Sequence, residues 1–265
     1  MQILSVMNNN TTTSQRRAIV MGASSGMGRA VAEILLAEGW IVGAAARRTD
    51  RLSELSSSHP DRVQTMAIDV TADDAAEKLL SLIDCLGGID LYFHASGIGK
   101  QNHDLQTDIE MRTVSTNALG FTRCIDAVFN HLKAHGGGQI AVISSIAGTR
   151  GLGPAPAYSA TKAFQNNYLE ALEQQSVTQN LHIHITDIRP GFVKTDLLND
   201  GFHYPMLMDP QRVAQQIVAA IHRKKHVVII DRRYALLVFF WRLIPRWLWR
   251  RLKLHTHKRP LSNTR

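Results

Sequence analysis

Ala18-Ile-Val-Met21-Gly22-Ala-Ser-Ser-Gly26-Met-Gly28 is the stretch that decides the fold of this 265-residue chain. Its first four residues make an apolar run of strand type, and beyond Gly28 the residues Ala30, Val31, Ile34, Leu35 and Leu36 recur at helical spacing. A strand therefore passes through a glycine turn straight into a helix. At a helix N-terminus the free N–H groups and the positive end of the dipole attract phosphate. Glycines there let the backbone approach a pyrophosphate and let the helix pack closely on the strand. Three glycines alone would suit any flexible loop; strand, turn and helix in that order make Gly22, Ser24, Ser25, Gly26, Met27 and Gly28 candidates for dinucleotide binding.

Outward from this turn, further strand-like apolar runs alternate with helical segments: Ile41 to Ala45, Val63 to Ile68, Leu91 to Ala95, Ile140 to Ile143, Ile183 to Ile188 and Val227 to Ile230. With Ala18 to Met21 they number seven. Such alternation predicts an α/β fold: one doubly wound parallel sheet with helices on both faces. The length suits a single domain with a substantial core, and the sequence contains no internal repeat. The polar, low-complexity opening Asn8 to Ser14 leads us to expect disorder over residues 1–15, a dinucleotide-binding and catalytic domain over 16–231, and a distinct tail over 232–265.

Tyr158 and Lys162 stand four residues apart in Tyr-Ser-Ala-Thr-Lys, and Ser145 lies thirteen residues upstream of the tyrosine. On a helix this spacing puts phenol and ammonium on one face, where the positive charge is expected to favour the phenolate and lower the tyrosine pKa. Alone, Tyr-x-x-x-Lys usually marks only a solvated face. Its company is what gives it weight. Ser145 could merely end the strand Gln139 to Ser145 by bonding to backbone, a job open equally to Ser144. Asn117, inside the helical-looking segment Val114 to Leu119, is a residue that helices disfavour unless it has a role.

Taken together, these residues resemble the short-chain dehydrogenase/reductase family, whose glycine motif has the Gly-x-x-x-Gly-x-Gly spacing of Gly22, Gly26 and Gly28. The resemblance runs from about Arg17 to Asp231. It implies a Rossmann-type fold and nicotinamide-dependent hydride transfer at a carbonyl or alcohol carbon. By that likeness Tyr158 is the catalytic acid/base, Lys162 its activating partner and a ligand of the nicotinamide ribose, Ser145 the hydroxyl that orients the substrate oxygen, and Asn117 the amide of the proton relay. It also implies a homodimer or homotetramer.

The same likeness assigns further cofactor residues. Asp69 and Val70 match the pair placed at the adenine ring, although Asp69 would equally serve as a helix cap near Thr71. Pro190, Gly191, Val193 and Thr195 match the Pro-Gly turn and the threonine that holds the carboxamide, while Pro-Gly by itself is only a turn signal. Ala95 and Gly97 match the motif after the fourth strand, with departures. The family has threonine before its first glycine and an Asn-Asn-Ala-Gly or Asn-Ala-Gly motif here, whereas this chain has Met21 and His94-Ala95-Ser96-Gly97. We expect the lost hydroxyl and the lost amide to be one missing contact replaced by packing. His94 reads as a satisfied core histidine, and His182 and His184 lack a carboxylate or cysteine to complete a metal site. No metal is expected.

At the end of the second strand, Ala46-Arg47-Arg48 replaces the carboxylate that NAD-preferring proteins place on the adenosine ribose. Guanidinium groups suit a 2′-phosphate, so Arg47 and Arg48 favour NADP(H) over NAD(H).

The chain has 30 basic and 22 acidic residues, and Arg232 to Arg265 holds ten of the basic and none of the acidic ones. The body is thus slightly negative and the tail strongly positive. Helical projection puts Arg242, Arg246, Arg250 and Lys253 on one side and Phe240, Leu243, Ile244, Trp247, Leu248 and Leu252 on the other, with Pro245 a kink or a fresh helix start. This composition suits a helix lying on an anionic membrane surface, or one covering an oligomer contact. The run is too short to span a bilayer, and no recognition motif points to nucleic acid. Only two cysteines, Cys85 and Cys124, and no secretory start fit a reducing, cytoplasmic setting, with peripheral membrane attachment through the tail.

Between Thr195 and Asp209 the residues Leu197, Leu198, Phe202, Tyr204, Met206, Leu207 and Met208 form what the resemblance makes a substrate lid. Its apolar character suggests a lipid-like carbonyl or alcohol, or else simple burial on the fold. A non-catalytic NADP(H) sensor or scaffold at a membrane is the competing reading, against which the complete set Asn117, Ser145, Tyr158 and Lys162 argues.

Overall fold

The computed structural model describes residues 15–195, 198 and 204–253. Seven parallel strands form one sheet: β1 (Arg17–Met21), β2 (Ile41–Ala46), β3 (Val63–Ala67), β4 (Leu91–His94), β5 (Gly138–Ile143), β6 (Ile183–Arg189) and β7 (Val227–Ile229). Their spatial order is β3-β2-β1-β4-β5-β6-β7. The order reverses direction between β1 and β4, which opens a crevice at their C-terminal ends.

Alternation along β1 explains the two layers. Ala18 and Val20 point into one apolar cluster, and Ile19 and Met21 point into the other. Helices α1 (Gly26–Ala37), α2 (Thr49–Ser58) and α7 (Pro210–His222) cover the first face. The second carries α3 (Ala75–Leu86), α5 (Phe121–Ala134) and α6 (Pro156–Thr178). Both faces of the central strands β1, β2, β4 and β5 are therefore buried, in keeping with their apolar runs, while the edge strand β3 is exposed at Gln64, Thr65 and Ala67.

Helix α4 (Thr107–Val114) runs without a break through a π-helical turn, Ser115–Gly120, into α5. The wide turn lies where α5 crosses the end of β3. There a Cβ on Gly120 would come within 2.7 Å of the Val70 carbonyl oxygen. Asn117 sits inside this turn and is fully buried.

The chain past Asp231 is not an appendage. Helix α8 (Arg232–Leu243) starts at an Asp231 cap, whose side chain accepts from the Arg233 amide, and buries Tyr234 and Val238 in the core beside α7. The Tyr234 hydroxyl donates to the Pro205 carbonyl at 3.0 Å and accepts from the Phe192 amide at 3.2 Å. Pro245 then ends the helix, and the short α9 (Arg246–Trp249) turns back so that Trp249 meets Trp241 edge-on, ring centroids 5.5 Å apart. Of the two outcomes expected at Pro245, a kink or a fresh helix start, the second is observed. Proline supplies the reason, since it cannot give its amide to the preceding turn.

Candidate functional site

The cleft at the β1/β4 crevice has a volume of about 420 Å³. Gly22, Ser24, Ser25, Gly26, Met27 and Gly28 form its floor, Arg47, Arg48, Asp69 and Val70 one end, and Ala95, Gly97 and Thr195 the other. Two of the glycines are forced. Gly22 has φ +94°, and a Cβ there would approach the Ser96 amide nitrogen to 2.9 Å; one on Gly28 would approach the Gly22 carbonyl oxygen to 2.2 Å. The first turn of α1 has no side-chain cap, so its amides remain open to an anion. The Ser25 hydroxyl instead accepts from Arg48 at 2.5 Å, and Ser24 accepts from the same guanidinium at 3.1 Å. Glycine cradle and uncapped helix fit the pyrophosphate of a dinucleotide, with the two arginines at one end of the cleft.

Asp69 caps no helix, since the next one starts at Ala75 with Asp74 before it. It lines the cleft while its carboxylate accepts from the Thr71 amide at 3.0 Å and hydroxyl at 2.8 Å. Burial works to raise its pKa, but the Thr71 hydrogen bonds and the Arg47 charge prevail and hold it below the ordinary value. Pro190, Gly191 and Val193 are not on the cleft wall. Gly191 is a glycine because of the C-terminal helix: a Cβ there would lie 2.3 Å from the Tyr234 ring. Val193 is buried in the core and bridges to Met208.

The loop from Ala95 to Gly99 separates this cleft from the other candidates and packs against them. A Cβ on Gly97 would stand 3.4 Å from the Asn117 Oδ1 and 3.6 Å from the Lys162 Nζ. One on Gly99 would collide with the Tyr158 ring at 2.5 Å, so this glycine, which the motifs did not flag, lets the phenol lie flat against the loop. Asn117 clamps the same loop. Its Oδ1 accepts from the Ile98 amide at 2.8 Å, and its Nδ2 donates to the Ile98 carbonyl at 2.6 Å.

Ser144 and Ser145 both bond to backbone, and they differ in what else they face. Ser144 bonds to the buried Asp187 carboxylate and to the Ile188 carbonyl, so it is the one tied to the sheet. Ser145, at the end of β5, accepts from the Ala147 amide at 3.1 Å and faces Tyr158. Beneath them Asp187 also accepts from Arg189 at 2.6 Å and, with its amide turned to donate, from Asn166 at 3.2 Å. The carboxylate is thus fully engaged despite its burial.

One expectation is corrected. The Lys162 ammonium lies 5.8 Å from the Tyr158 ring centroid and gives its hydrogens to the Ile143 carbonyl at 3.0 Å and the Gln165 Oε1 at 2.9 Å. Burial pushes the Tyr158 phenol above its ordinary pKa, and only the Ser145 hydroxyl draws it back down. Phenol desolvation outweighs any help from the lysine in this state. Lys162 itself is lowered to about 8, by burial first, with Asp187 working to raise it. Gln165, also missed from the motifs, is fully buried and donates its Nε2 to the Asn117 carbonyl at 2.8 Å. Its only sequence signal was a position three residues beyond Lys162 on the same helix.

Met21 and His94 are direct partners in the β1/β4 register, and both are buried. The two departures from the family motif are therefore one place in the fold. His94 accepts or donates at Nδ1 with the Tyr92 hydroxyl, 2.9 Å away, and meets Phe121 edge-on, but its Nε2 has no hydrogen bond, so it is only half satisfied. Burial, and then the Lys162 charge, lower its pKa to about 3 and keep it neutral. Among the described residues no group of His, Cys, Asp or Glu is arranged to hold a metal.

Of the lid residues, Leu197 and Phe202 lie outside the described residues, as do 1–14 and 254–265. Tyr204 and Met208 are buried, Tyr204 against Phe192 at 4.8 Å between ring centroids, and Met206 packs on the same core. These three side chains are taken up by packing. Leu207 is exposed.

The family model for short chain dehydrogenase matches residues 16–203, and the chain belongs to that family. An uncharacterized oxidoreductase of Myxococcus xanthus is 34% identical over 201 residues, 73% of this chain and 79% of the relative. A glycine betaine reductase of Emericella nidulans is 32% identical over 229 residues, 80% of this chain but 18% of that longer protein. Among solved structures, a short-chain dehydrogenase from Streptomyces avermitilis superposes with a TM-score of 0.76 at 24% identity, covering 87% of this chain and 93% of the other. The fold is the family's, and the protein is an oxidoreductase of short-chain dehydrogenase type.

Proposed function

We propose that the protein is an NADP(H)-dependent oxidoreductase that interconverts a carbonyl and an alcohol on an apolar, lipid-like substrate. The convergence of Ser145, Tyr158 and Lys162 behind the Ala95–Gly99 wall of the cleft carries this reading. Gly22, Gly26, Gly28 and the open amides of α1 would hold the pyrophosphate. Ser24, Arg47 and Arg48 would hold the 2′-phosphate, Asp69 and Val70 the adenine, and Thr195 the carboxamide. No carboxylate stands at Ala46 to favour the bare ribose. When bound, the nicotinamide supplies or accepts the hydride at the substrate carbon.

The chain's own residues manage the oxygen. Ser145 donates a hydrogen bond that orients it. Tyr158, kept protonated by its burial, gives its proton to that oxygen in reduction and takes it back in oxidation. Lys162, still an ammonium below about pH 8, stabilises the phenolate left behind. Asn117 fixes the loop that carries Ile98 and so sets the distance between cleft and phenol.

The apolar substrate is supported by the C-terminal face, where Leu236, Phe239, Phe240, Leu243 and Trp247 are exposed beside Arg232, Arg242 and Arg251. This face would rest on an anionic membrane surface. Among the described residues no helix is long and apolar enough to cross a membrane. Met111, Val114, Leu119 and Phe164, exposed on the neighbouring α4, π turn and α6, would form the contact of a homodimer or homotetramer. Free Cys85 and Cys124 suit a reducing cytoplasm.

Spectrophotometric NADPH oxidation over ketones of graded chain length tests the reading. Turnover should rise with chain length, run slower with NADH, and drop roughly 10²–10⁴-fold in Tyr158→Phe with NADPH binding retained. Full turnover in that variant would refute the mechanism. Tight NADPH binding with no turnover on any ketone would favour the sensor reading.

A further inference from the structure

A second cavity, of about 540 Å³, lies between the loop Thr149–Pro154 and α9. Its walls carry the guanidinium groups of Arg150, Arg246 and Arg250 together with His103, and among the described residues no aspartate or glutamate lines it. Arg246 and Arg250 are one helical turn apart and exposed, and neither forms an ion pair with any described residue. Like charges at that spacing repel one another, so the pair is left with unfavourable electrostatics that a bound anion would reverse.

Arg150 is held ready. Its guanidinium donates to the carbonyls of Trp241 at 3.2 Å, Arg242 at 2.9 Å and Ile244 at 2.8 Å, which fixes its position beside the other two at no further cost in rotamer freedom. Trp249 forms a rigid wall, anchored by its indole N–H on the Gly151 carbonyl at 2.8 Å. Gly151 and Gly153 leave the opposite wall without side chains, and a Cβ on either would meet nothing within 4 Å.

We infer that this cavity is a binding site for a phosphate group, as carried by a phosphomonoester, formed by Arg150, Arg246 and Arg250 against Trp249. A carboxylate has two oxygens and is satisfied by one guanidinium fork; three guanidinium groups on one cavity match the terminal oxygens of a phosphate. The volume exceeds a bare phosphate and leaves room for the group esterified to it. Arg232 and Arg242 on α8 and Arg251 just past α9 add a positive field that draws the anion in. The site shares no residue with the dinucleotide cleft, and its occupancy does not depend on the proposed redox activity.

Two sources supply this chemistry, a soluble phosphorylated compound and a phospholipid headgroup. The test titrates the full chain with inorganic phosphate and with dodecyl phosphate, and sediments it with vesicles of phosphatidic acid in phosphatidylcholine and of phosphatidylcholine alone. R246E/R250E is compared with R223E/K225E, which changes charge equally at exposed positions outside both the cavity and the C-terminal face. Saturable binding of either soluble probe, weakened more than roughly tenfold in R246E/R250E and within about twofold of wild type in R223E/K225E, supports the site and a soluble ligand. The same variant pattern on phosphatidic acid vesicles alone supports the site and a lipid. Absence of saturable binding, binding that survives R246E/R250E, or equal loss in both double variants overturns it. Should R246E/R250E not fold, judged by its thermal melt, R246Q/R250Q replaces it under the same criteria. NADPH-dependent turnover is measured in parallel, so failure of the redox reading stays separate from failure of this one.

Discussion

Gln165 ties the Lys162 ammonium to the Asn117 carbonyl through two hydrogen bonds, and it is buried with them. Accepting from Nζ favours the charged lysine, so removing that acceptor lowers the lysine pKa further below about 8. An activity that needs the ammonium is present below that pKa and is lost as pH rises through it. Gln165→Leu should therefore shift the alkaline limb of kcat/KM to lower pH, with a loss of roughly tenfold in rate, and Gln165→Glu should shift the limb upward. An unmoved limb in both variants would leave Gln165 with packing alone. Tyr158, Lys162 and Ser145 were legible in the sequence because their spacing on helix and strand is local. Gln165 and Gly99 were not, since what defines them is contact across the fold: a phenol ring 2.5 Å from a Cβ that is absent, and a carbonyl exposed by a π turn.

Among the elements, α8 has the largest gap between appearance and role. Basic, aromatic and past the last strand, it read as a tail, but its Tyr234 is fully buried and fills the space left by Gly191. Nothing local announces this contact, because its two partners are far apart in the chain and each is unremarkable alone. Tyr234→Ala should cost about 3–5 kcal/mol of stability, since a buried ring and its hydrogen bonds to the Pro205 carbonyl and Phe192 amide are lost together. Chemical denaturation of the two proteins measures this, and a change under about 1 kcal/mol would mean that α8 is only loosely attached. Truncation after Asp231 is accordingly an unsuitable probe of tail function, because it opens the core. The strands, by contrast, follow their expected runs to within two residues at every end, since turn and helix signals bound each run locally.

At the scale of the whole molecule, charge and apolar surface are separated: a slightly acidic body carries one strongly basic end with an exposed apolar face. If this face meets a membrane, F239S/F240S should reduce sedimentation with phosphatidylglycerol vesicles by about tenfold while the thermal melt stays unchanged, because both rings are exposed in the free protein. Undiminished sedimentation would assign the face to another copy of the chain. The doubly wound order was foreseeable from alternation of runs, whereas the placement of α8 and α9 beside the Thr149–Pro154 loop was not, resting as it does on Arg150 and Trp249. That loop leads directly into the helix that bears Tyr158. Through three carbonyls and one indole, the last two helices are buttoned to the stretch that precedes the tyrosine-bearing helix, so a pull on them would be passed straight to that stretch.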